Sequence, residues 1–349
     1  MKAFENMKAA VLFKLNSPLK IINLKIPKLQ KGQVLVKIFY SAICRSQIME
    51  INSGRDNKKY LPHLLGHEAS GKVVAIGKAV KKFKINDNVI LTWMRCSGLE
   101  SENPHFFFRG KRINSGKITT FSNYSVISEN RLVKKPKKLK FKESVLFGCS
   151  FMTGPGMVFN DLKIKNKNLK IVLVGLGGVG LGIYISLKSV GIKNIILIEK
   201  NKNKILLAKK LGIKYCFKST NNKTLKNIMN IFRGGADICL ESAGNVKTIE
   251  FAINLIKDKG YLHFASHPKN KDFIKIKPFD LLSGKKITGS WGGGCFPDYD
   301  VKRFSKLTES KYFKISKIIN NEYSLDNINK AINDFVKGTV FRPIIKMQH

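Results

Sequence analysis

The sequence predicts an α/β protein in which a β-rich, barrel-like first part is followed by a doubly wound parallel sheet. Three observations carry this expectation. From residue 171 to about 290, short unbroken apolar runs alternate with helical periods, the pattern of parallel strands joined by crossover helices and covered on both faces. Before residue 130 the strand-like runs are short and separated by turn signals, which reads as a β-rich region. Between the two regimes, the apolar run 171–174 passes straight into Gly175-Leu176-Gly177-Gly178-Val179-Gly180, a strand that turns into a helix on glycines.

Taken in order, residues 1–6 read as a short tail, and the first strand begins after a second methionine, over 7–13. Residues 33–40 alternate like a half-buried strand and deliver Cys44-Arg45-Ser46 to a turn. The stretch 62–71 contains Gly66-His67-Glu68 and leads into a strand over 72–77, with further strands over 88–92 and 121–126. The character changes near 143–149, where a helical stretch carrying Cys149 runs toward the glycine turn. Strands follow at 171–174, 195–198, 236–240 and 261–264, with helices starting at Val179 and spanning 205–211 and 246–256. After 289–294 come helices over 301–307 and 325–336 and a last strand over 343–346. The expected division is a first domain over 1–150, a second over 151–293, and a return to the first over 294–349.

The glycine turn has a chemical reading. A strand that opens a helix this way points bare backbone N–H groups at whatever sits on the helix N-terminus, which suits an anion. Gly175 would make the tight turn, Gly177 would let a pyrophosphate approach the backbone, and Gly180 would allow close helix–strand packing, with Gly178 and Val179 between them. Alone, such a pattern is a weak signal. The strand 195–198 strengthens it by ending at Glu199, close to the ~20 residues expected before the acid that binds the adenosine ribose hydroxyls. The reading is a dinucleotide-binding unit.

Composition bounds the rest. A chain of 349 residues with 43% hydrophobic and 10% aromatic residues fits two packed domains rather than disorder. It has no apolar run of the ~18 residues that would suggest a membrane span, and residues 1–6 lack the apolar centre of a signal peptide. A cytoplasmic protein without membrane association is expected. The formal net charge of +41 would ordinarily suggest nucleic acid. Here the basic residues are overwhelmingly lysines spread along the whole chain, so solvated lysine faces are expected and no specific nucleic-acid partner. Such a field still favours anionic ligands. The six cysteines show no C-x-x-C spacing, which fits a reduced compartment.

Cys44, His67 and Cys149 stand where strands or helices meet turns. Two thiolates and an imidazole would leave a tetrahedral zinc one open position, where the metal can polarise an alcohol or carbonyl oxygen. From spacing alone, core packing is the commoner explanation of each.

Four segments change that balance: Cys44-Arg45-Ser46, Gly66-His67-Glu68-Ala69-Ser70-Gly71, Gly148-Cys149 with Thr153-Gly154, and the glycine turn. In this order they resemble the zinc-dependent alcohol dehydrogenases of the medium-chain dehydrogenase/reductase superfamily, over nearly the whole chain from Met7. The resemblance implies a GroES-like catalytic domain and a Rossmann cofactor domain. It implies one catalytic zinc on Cys44, His67 and Cys149, with Glu68 as the acidic neighbour of the metal and Ser46 as the hydroxyl that begins a proton relay. Arg45 and Arg342 would contact the cofactor pyrophosphate, Thr153 and Val179 would pack on the nicotinamide, and Glu199 and Lys204 would hold the adenosine ribose, favouring NAD over NADP. A homodimer or homotetramer formed near 287–291 is implied as well.

The chain also departs from that family's pattern. Residues 93–112 contain only Cys96, which excludes the four-cysteine structural zinc of many relatives. Gln47 stands where an aspartate is common, Met49 lies where some relatives carry a relay histidine, and Asn86-Asp87 replaces Gly-Asp. The expected reaction is hydride transfer between a small-molecule alcohol, aldehyde or ketone and NAD. The alternatives are an S-(hydroxymethyl)glutathione-type or polyol dehydrogenase, a zinc-free reductase, and an NAD-binding protein without turnover. The aromatic run 106–108 would either line a substrate mouth or pack as a core loop.

Overall fold

Strands dominate the first part of the chain because its apolar residues recur at strand spacing. In a computed structural model, which describes residues 4–55, 57–309, 315, 318–319 and 321–349, β1 (Asn6–Leu12) pairs antiparallel with β2 (Lys20–Lys25). The long β3 (Gln33–Ala42) is followed by helix α1 (Arg45–Ile51). Then come β4 (His63–Leu64), which adds to β1, β5 (Glu68–Ile76) and β6 (Asn88–Thr92). The hairpin β7 (Phe106–Phe108) and β8 (Lys111–Ile113), β9 (Tyr124–Ser128), β10 (Leu132–Lys134) and helix α2 (Phe141–Ser144) complete this stretch. Val34, Val36 and Ile38 of β3 share one core with Ala69, Val73, Val89 and Leu91 of its neighbours. Each such fully buried Val, Ile or Leu stabilises the fold by roughly 1.5–3 kcal/mol.

The parallel sheet begins after helix α3 (Ser150–Gly156). Its elements are β11 (Ile171–Val174), α4 (Gly178–Val190), β12 (Ile195–Ile198), α5 (Lys202–Lys210), β13 (Tyr215–Phe217), α6 (Asn222–Phe232), β14 (Ala236–Glu241), α7 (Val246–Ile253), β15 (Ile256–Phe264), α8 (Pro278–Leu282) and β16 (Lys286–Gly289). All six strands are parallel, in the order β13-β12-β11-β14-β15-β16. The chain runs outward from β11 in one direction and then returns to β14 on its other side. That reversal makes the carboxyl ends of β11 and β14 the place where a ligand binds in such folds. Asn201, Asn221 and Asn245 cap α5, α6 and α7, each accepting a backbone N–H from the first turn, as short polar side chains do at helix starts.

Helix α7 stops at Ile253, three residues before the apolar period ends, because Ile256 pairs with Ala236 and already belongs to β15. Strand β13 and helix α6 lie outside the sequence expectation: β13 is only three residues long, and the helical spacing of Leu225, Ile228, Met229 and Phe232 in α6 went unmarked.

The chain then adds helix α9 (Pro297–Ser305), β17 (Glu322–Ser324), α10 (Ile328–Lys337) and β18 (Ile344–Lys346). The last strand inserts between β3 and β17, giving a sheet in the order β10-β6-β5-β3-β18-β17, with β9 also on β3. The chain thus forms two units. One comprises Met1–Cys149, Phe296–Ser305 and Ile315–His349, the other Ser150–Cys295 and Lys306–Lys314. Among the described residues, no helix is long and apolar enough to cross a membrane.

Candidate active site

Three local devices bring the site of the first unit together. Cys44 follows β3 in extended conformation as the N-cap of α1. His67 lies between β4 and β5, directly after Gly66, whose φ is +93° and where a Cβ would stand 2.4 Å from Thr120 Oγ1 and 2.8 Å from Phe121 N. Only glycine fits there. Cys149 ends the turn Val145–Gly148, and a Cβ on Gly148 would lie 2.5 Å from the carbonyl oxygen of Leu91 and 2.7 Å from Glu68 Cβ. Glycine therefore lets this turn press against β5 and β6. As a result, one ligand atom from each of Cys44, His67 and Cys149 lies within 4.8 Å of the others.

The cluster is electrostatically prepared. The Cys44 thiol is held well below its usual pKa, first by the hydrogen bond from Cys149, with His67 and Arg342 adding to the effect against burial. Cys149, as the hydrogen-bond partner of Cys44, is pushed well above its usual value, and burial adds to this. Burial disfavours a charged His67, yet Cys44 outweighs it and raises the imidazole's pKa. The Nε2 atom of His67 is buried without a hydrogen-bond partner among the described residues. A buried orphan nitrogen beside two thiols is what a soft cation would satisfy, and three protein donors leave a tetrahedral ion open to a fourth ligand. The residues present fit zinc.

Around the cluster, Ser46 Oγ stands 3.4 Å from His67 Nδ1, and the buried Gln47 places its Nε2 in hydrogen-bond contact with the same nitrogen. Glu68 is fully buried, and its Oε1 accepts from Arg342 Nη2. Arg342 is itself only 3% exposed. Arg45 is exposed at the start of α1.

The second unit carries the glycine turn at the switch point. Gly175 has φ +87°, and a Cβ on Gly180 would sit 2.1 Å from the Gly175 carbonyl oxygen, so helix α4 can approach β11 only with glycine at that position. Among the described residues, nothing lies within 4 Å of where a Cβ on Gly177 would point, which leaves room over the turn for a ligand. Glu199 Oε2 accepts from Leu176 N at 2.8 Å and Oε1 from Asn201 N at 2.9 Å, while Lys204 Nζ stands 3.8 Å from Oε2. The acid at the end of β12 thereby orders the glycine turn itself. Thr153 is buried on α3, which packs on α4 where a Cβ on Gly154 would meet the Val179 carbonyl oxygen at 2.3 Å.

Two family models match the chain. One, the alcohol dehydrogenase GroES-like domain, covers residues 30–137, and the other, zinc-binding dehydrogenase, covers residues 178–310. The chain belongs to the zinc-type medium-chain dehydrogenase/reductase family. It is 29% identical to alcohol dehydrogenase 6 of Peromyscus maniculatus over 97% of each chain. It is 28% identical, again over 97% of each, to a probable S-(hydroxymethyl)glutathione dehydrogenase 1 of Schizosaccharomyces pombe. The solved benzyl alcohol dehydrogenase of Acinetobacter calcoaceticus superposes with a TM-score of 0.86 at 26% identity, covering 98% of this chain and 99% of that one. The two units are accordingly the GroES-like and Rossmann-type parts of a medium-chain dehydrogenase fold. Family membership supports zinc-dependent oxidoreductase activity.

Other features of this dehydrogenase were invisible in the sequence pattern. The Glu68–Arg342 pair joins residues 274 positions apart. In the second unit, Asp161 Oδ2 accepts from Ser290 Oγ at 2.6 Å and lies 3.0 Å from His263 Nε2, while His263 Nδ1 is 2.7 Å from Thr288 Oγ1. These partners lie 25 to 129 positions apart; no local spacing signals such a network. In the aromatic run, Phe106 is in the core, Phe108 packs on Phe13, and Phe107 is 60% exposed.

Proposed function

We propose that this protein is an NAD-dependent alcohol dehydrogenase or carbonyl reductase with one catalytic zinc, held by Cys44, His67 and Cys149. The observation that carries this reading is the convergence of two thiols and an imidazole in one cluster, in a chain that also carries a glycine turn ordered by an acid. When bound, the metal supplies Lewis acidity toward an alcohol or carbonyl oxygen and the nicotinamide supplies the hydride acceptor or donor.

The chain's own residues do the rest. Cys44 and Cys149 offer soft donors that match a dication, and the hydrogen bond between them already favours one thiolate. Ser46 is half-buried, so its hydroxyl can accept the proton leaving the alcohol and pass it to water. The open space above Gly177 admits a pyrophosphate. At the adenosine end, Glu199 repels a 2′-phosphate and favours NAD over NADP, with Lys204 beside it. Arg342 holds Glu68 by a buried ion pair, so its first task is to neutralise that carboxylate.

Similarity to the probable S-(hydroxymethyl)glutathione dehydrogenase favours a second reading within the same chemistry, oxidation of a glutathione–formaldehyde adduct. The test is NAD reduction across a panel of primary alcohols that includes this adduct, with and without a zinc chelator. Reduction of NAD that a chelator abolishes and zinc restores is expected. Activity that survives zinc removal, or a preference for NADP, would overturn the proposal.

A further inference from the structure

Gln47 makes two contacts that fix its amide. Its Oε1 accepts the backbone N–H of Cys44 at 3.1 Å, and its Nε2 meets His67 Nδ1. A backbone N–H can only donate, so the oxygen of the amide must face Cys44. The NH₂ end, which also can only donate, must then face the ring. Gln47 is 1% exposed and sits in the first turn of α1, where this capping contact also satisfies the helix start. With Nδ1 made an acceptor, the neutral imidazole carries its proton on Nε2, the orphan nitrogen.

A metal needs the opposite arrangement. Nε2 can donate its lone pair to a cation only when the ring proton is on Nδ1, and a proton there faces the NH₂ of Gln47. Ser46 Oγ, at 3.4 Å, is the remaining acceptor on that side and is at the limit of hydrogen-bond length. Metal binding therefore has to break a buried hydrogen bond or turn the amide over, which leaves the Cys44 N–H facing a donor. A carboxylate of the same length would not meet this conflict, because one oxygen could accept from Cys44 N and the other from His67 Nδ1.

We infer that Gln47 weakens the grip of this site on zinc by stabilising the metal-free tautomer of His67. The inference rests on the reading of Cys44, His67 and Cys149 as the zinc ligands. Gln47 acts as a positioning residue through His67 and touches no substrate.

Two measurements test it. In the zinc-stripped protein with ¹⁵N-labelled histidine, long-range proton–nitrogen correlation spectra report which ring nitrogen of His67 carries the proton. Nε2–H is expected for the wild type, and an Nδ1–H tautomer overturns the inference. Zinc affinity is then measured by competition with a chromogenic chelator for the wild type, Gln47→Glu and Gln47→Leu. The carboxylate variant is expected to hold zinc about tenfold or more tighter than the wild type, the scale on which groups behind a metal-bound histidine act. The leucine variant, which lacks the opposing donor, is expected to be no weaker than the wild type. Equal or weaker zinc binding by Gln47→Glu, in a protein whose unfolding midpoint is unchanged, overturns the inference but leaves the zinc site standing. If neither wild type nor Gln47→Glu takes up zinc, the site itself falls, and this inference with it.

Discussion

A buried ion pair close to the cluster of Cys44, His67 and Cys149 has a defined energetic signature. Glu68 is fully buried and Arg342 nearly so, so each is the other's charge compensation in a region where water cannot reach. Removing one partner of such a pair typically costs about 3–5 kcal/mol, because the survivor is left charged and unpaired, whereas removing both costs far less. Arg342→Met is therefore expected to lower the unfolding free energy by about that amount in urea titrations, and Glu68→Gln with Arg342→Met to recover most of it. A single-variant loss below about 1 kcal/mol would show that the pair is not the compensation described. Nothing in the sequence announced this contact: Glu68 stands next to His67 in a legible motif, but its partner comes from the bend just before β18, at the far end of the chain. His67, Cys44 and Cys149, by contrast, were legible as candidates because the short segments around them, Cys44-Arg45-Ser46, Gly66-His67-Glu68 and Gly148-Cys149, carry the family resemblance.

The elements divide the same way. The strands β11 and β12 could be read directly, since four consecutive apolar residues buried on both faces leave no other pattern, and α4 followed from its glycine start. Strand β13 was not legible because three residues fall short of the run that marks a strand, whereas α6 carries Leu225, Ile228, Met229 and Phe232 at helical spacing and was overlooked among its lysines and asparagines. The end of β14 yields a pH prediction. Glu241 accepts from Ala243 N, Gly244 N, Thr248 Oγ1 and Ser266 Oγ, but burial outweighs these bonds and raises its pKa above the usual carboxylate value. A carboxyl raised in the folded state binds its proton more tightly there than in the unfolded chain. Its stabilising contribution is then complete below the unfolded pKa and is lost as the pH rises through the folded one. Between about pH 4.5, near the ordinary glutamate value, and neutrality, the wild type is expected to lose more stability with rising pH than Glu241→Gln, which has no charge to titrate. Parallel urea midpoints for the two proteins across this range would contradict the assignment.

At the scale of the whole molecule, the question is how many metal ions the fold requires. The stretch 93–112 contains a single cysteine, Cys96, which is buried with a thiol pushed up to about 12 by that burial, and so is a poor source of thiolate. The chain holds this stretch by other means. Glu129, 2% exposed, accepts from Lys81 N, Lys82 N and Leu99 N, Arg131 bonds the Trp93 carbonyl and Glu100, and Asp298 takes the N–H of Ser97 together with the ammonium of Lys82. Carboxylates gripping backbone amides do here what a tetrahedral ion does elsewhere: they tie together segments that have no core of their own. Elemental analysis is therefore expected to return one zinc per chain, falling to none in Cys44→Ser and staying at one in Cys96→Ala. Glu129→Ala, which leaves three amides at exposed or half-buried positions without their acceptor, is expected to destabilise the protein by about 1–2 kcal/mol, since water can replace part of each lost bond, without changing the zinc count. Two tightly held ions in the wild type, or a count that drops with Glu129→Ala in folded protein, would mean that a metal and not a carboxylate holds this stretch.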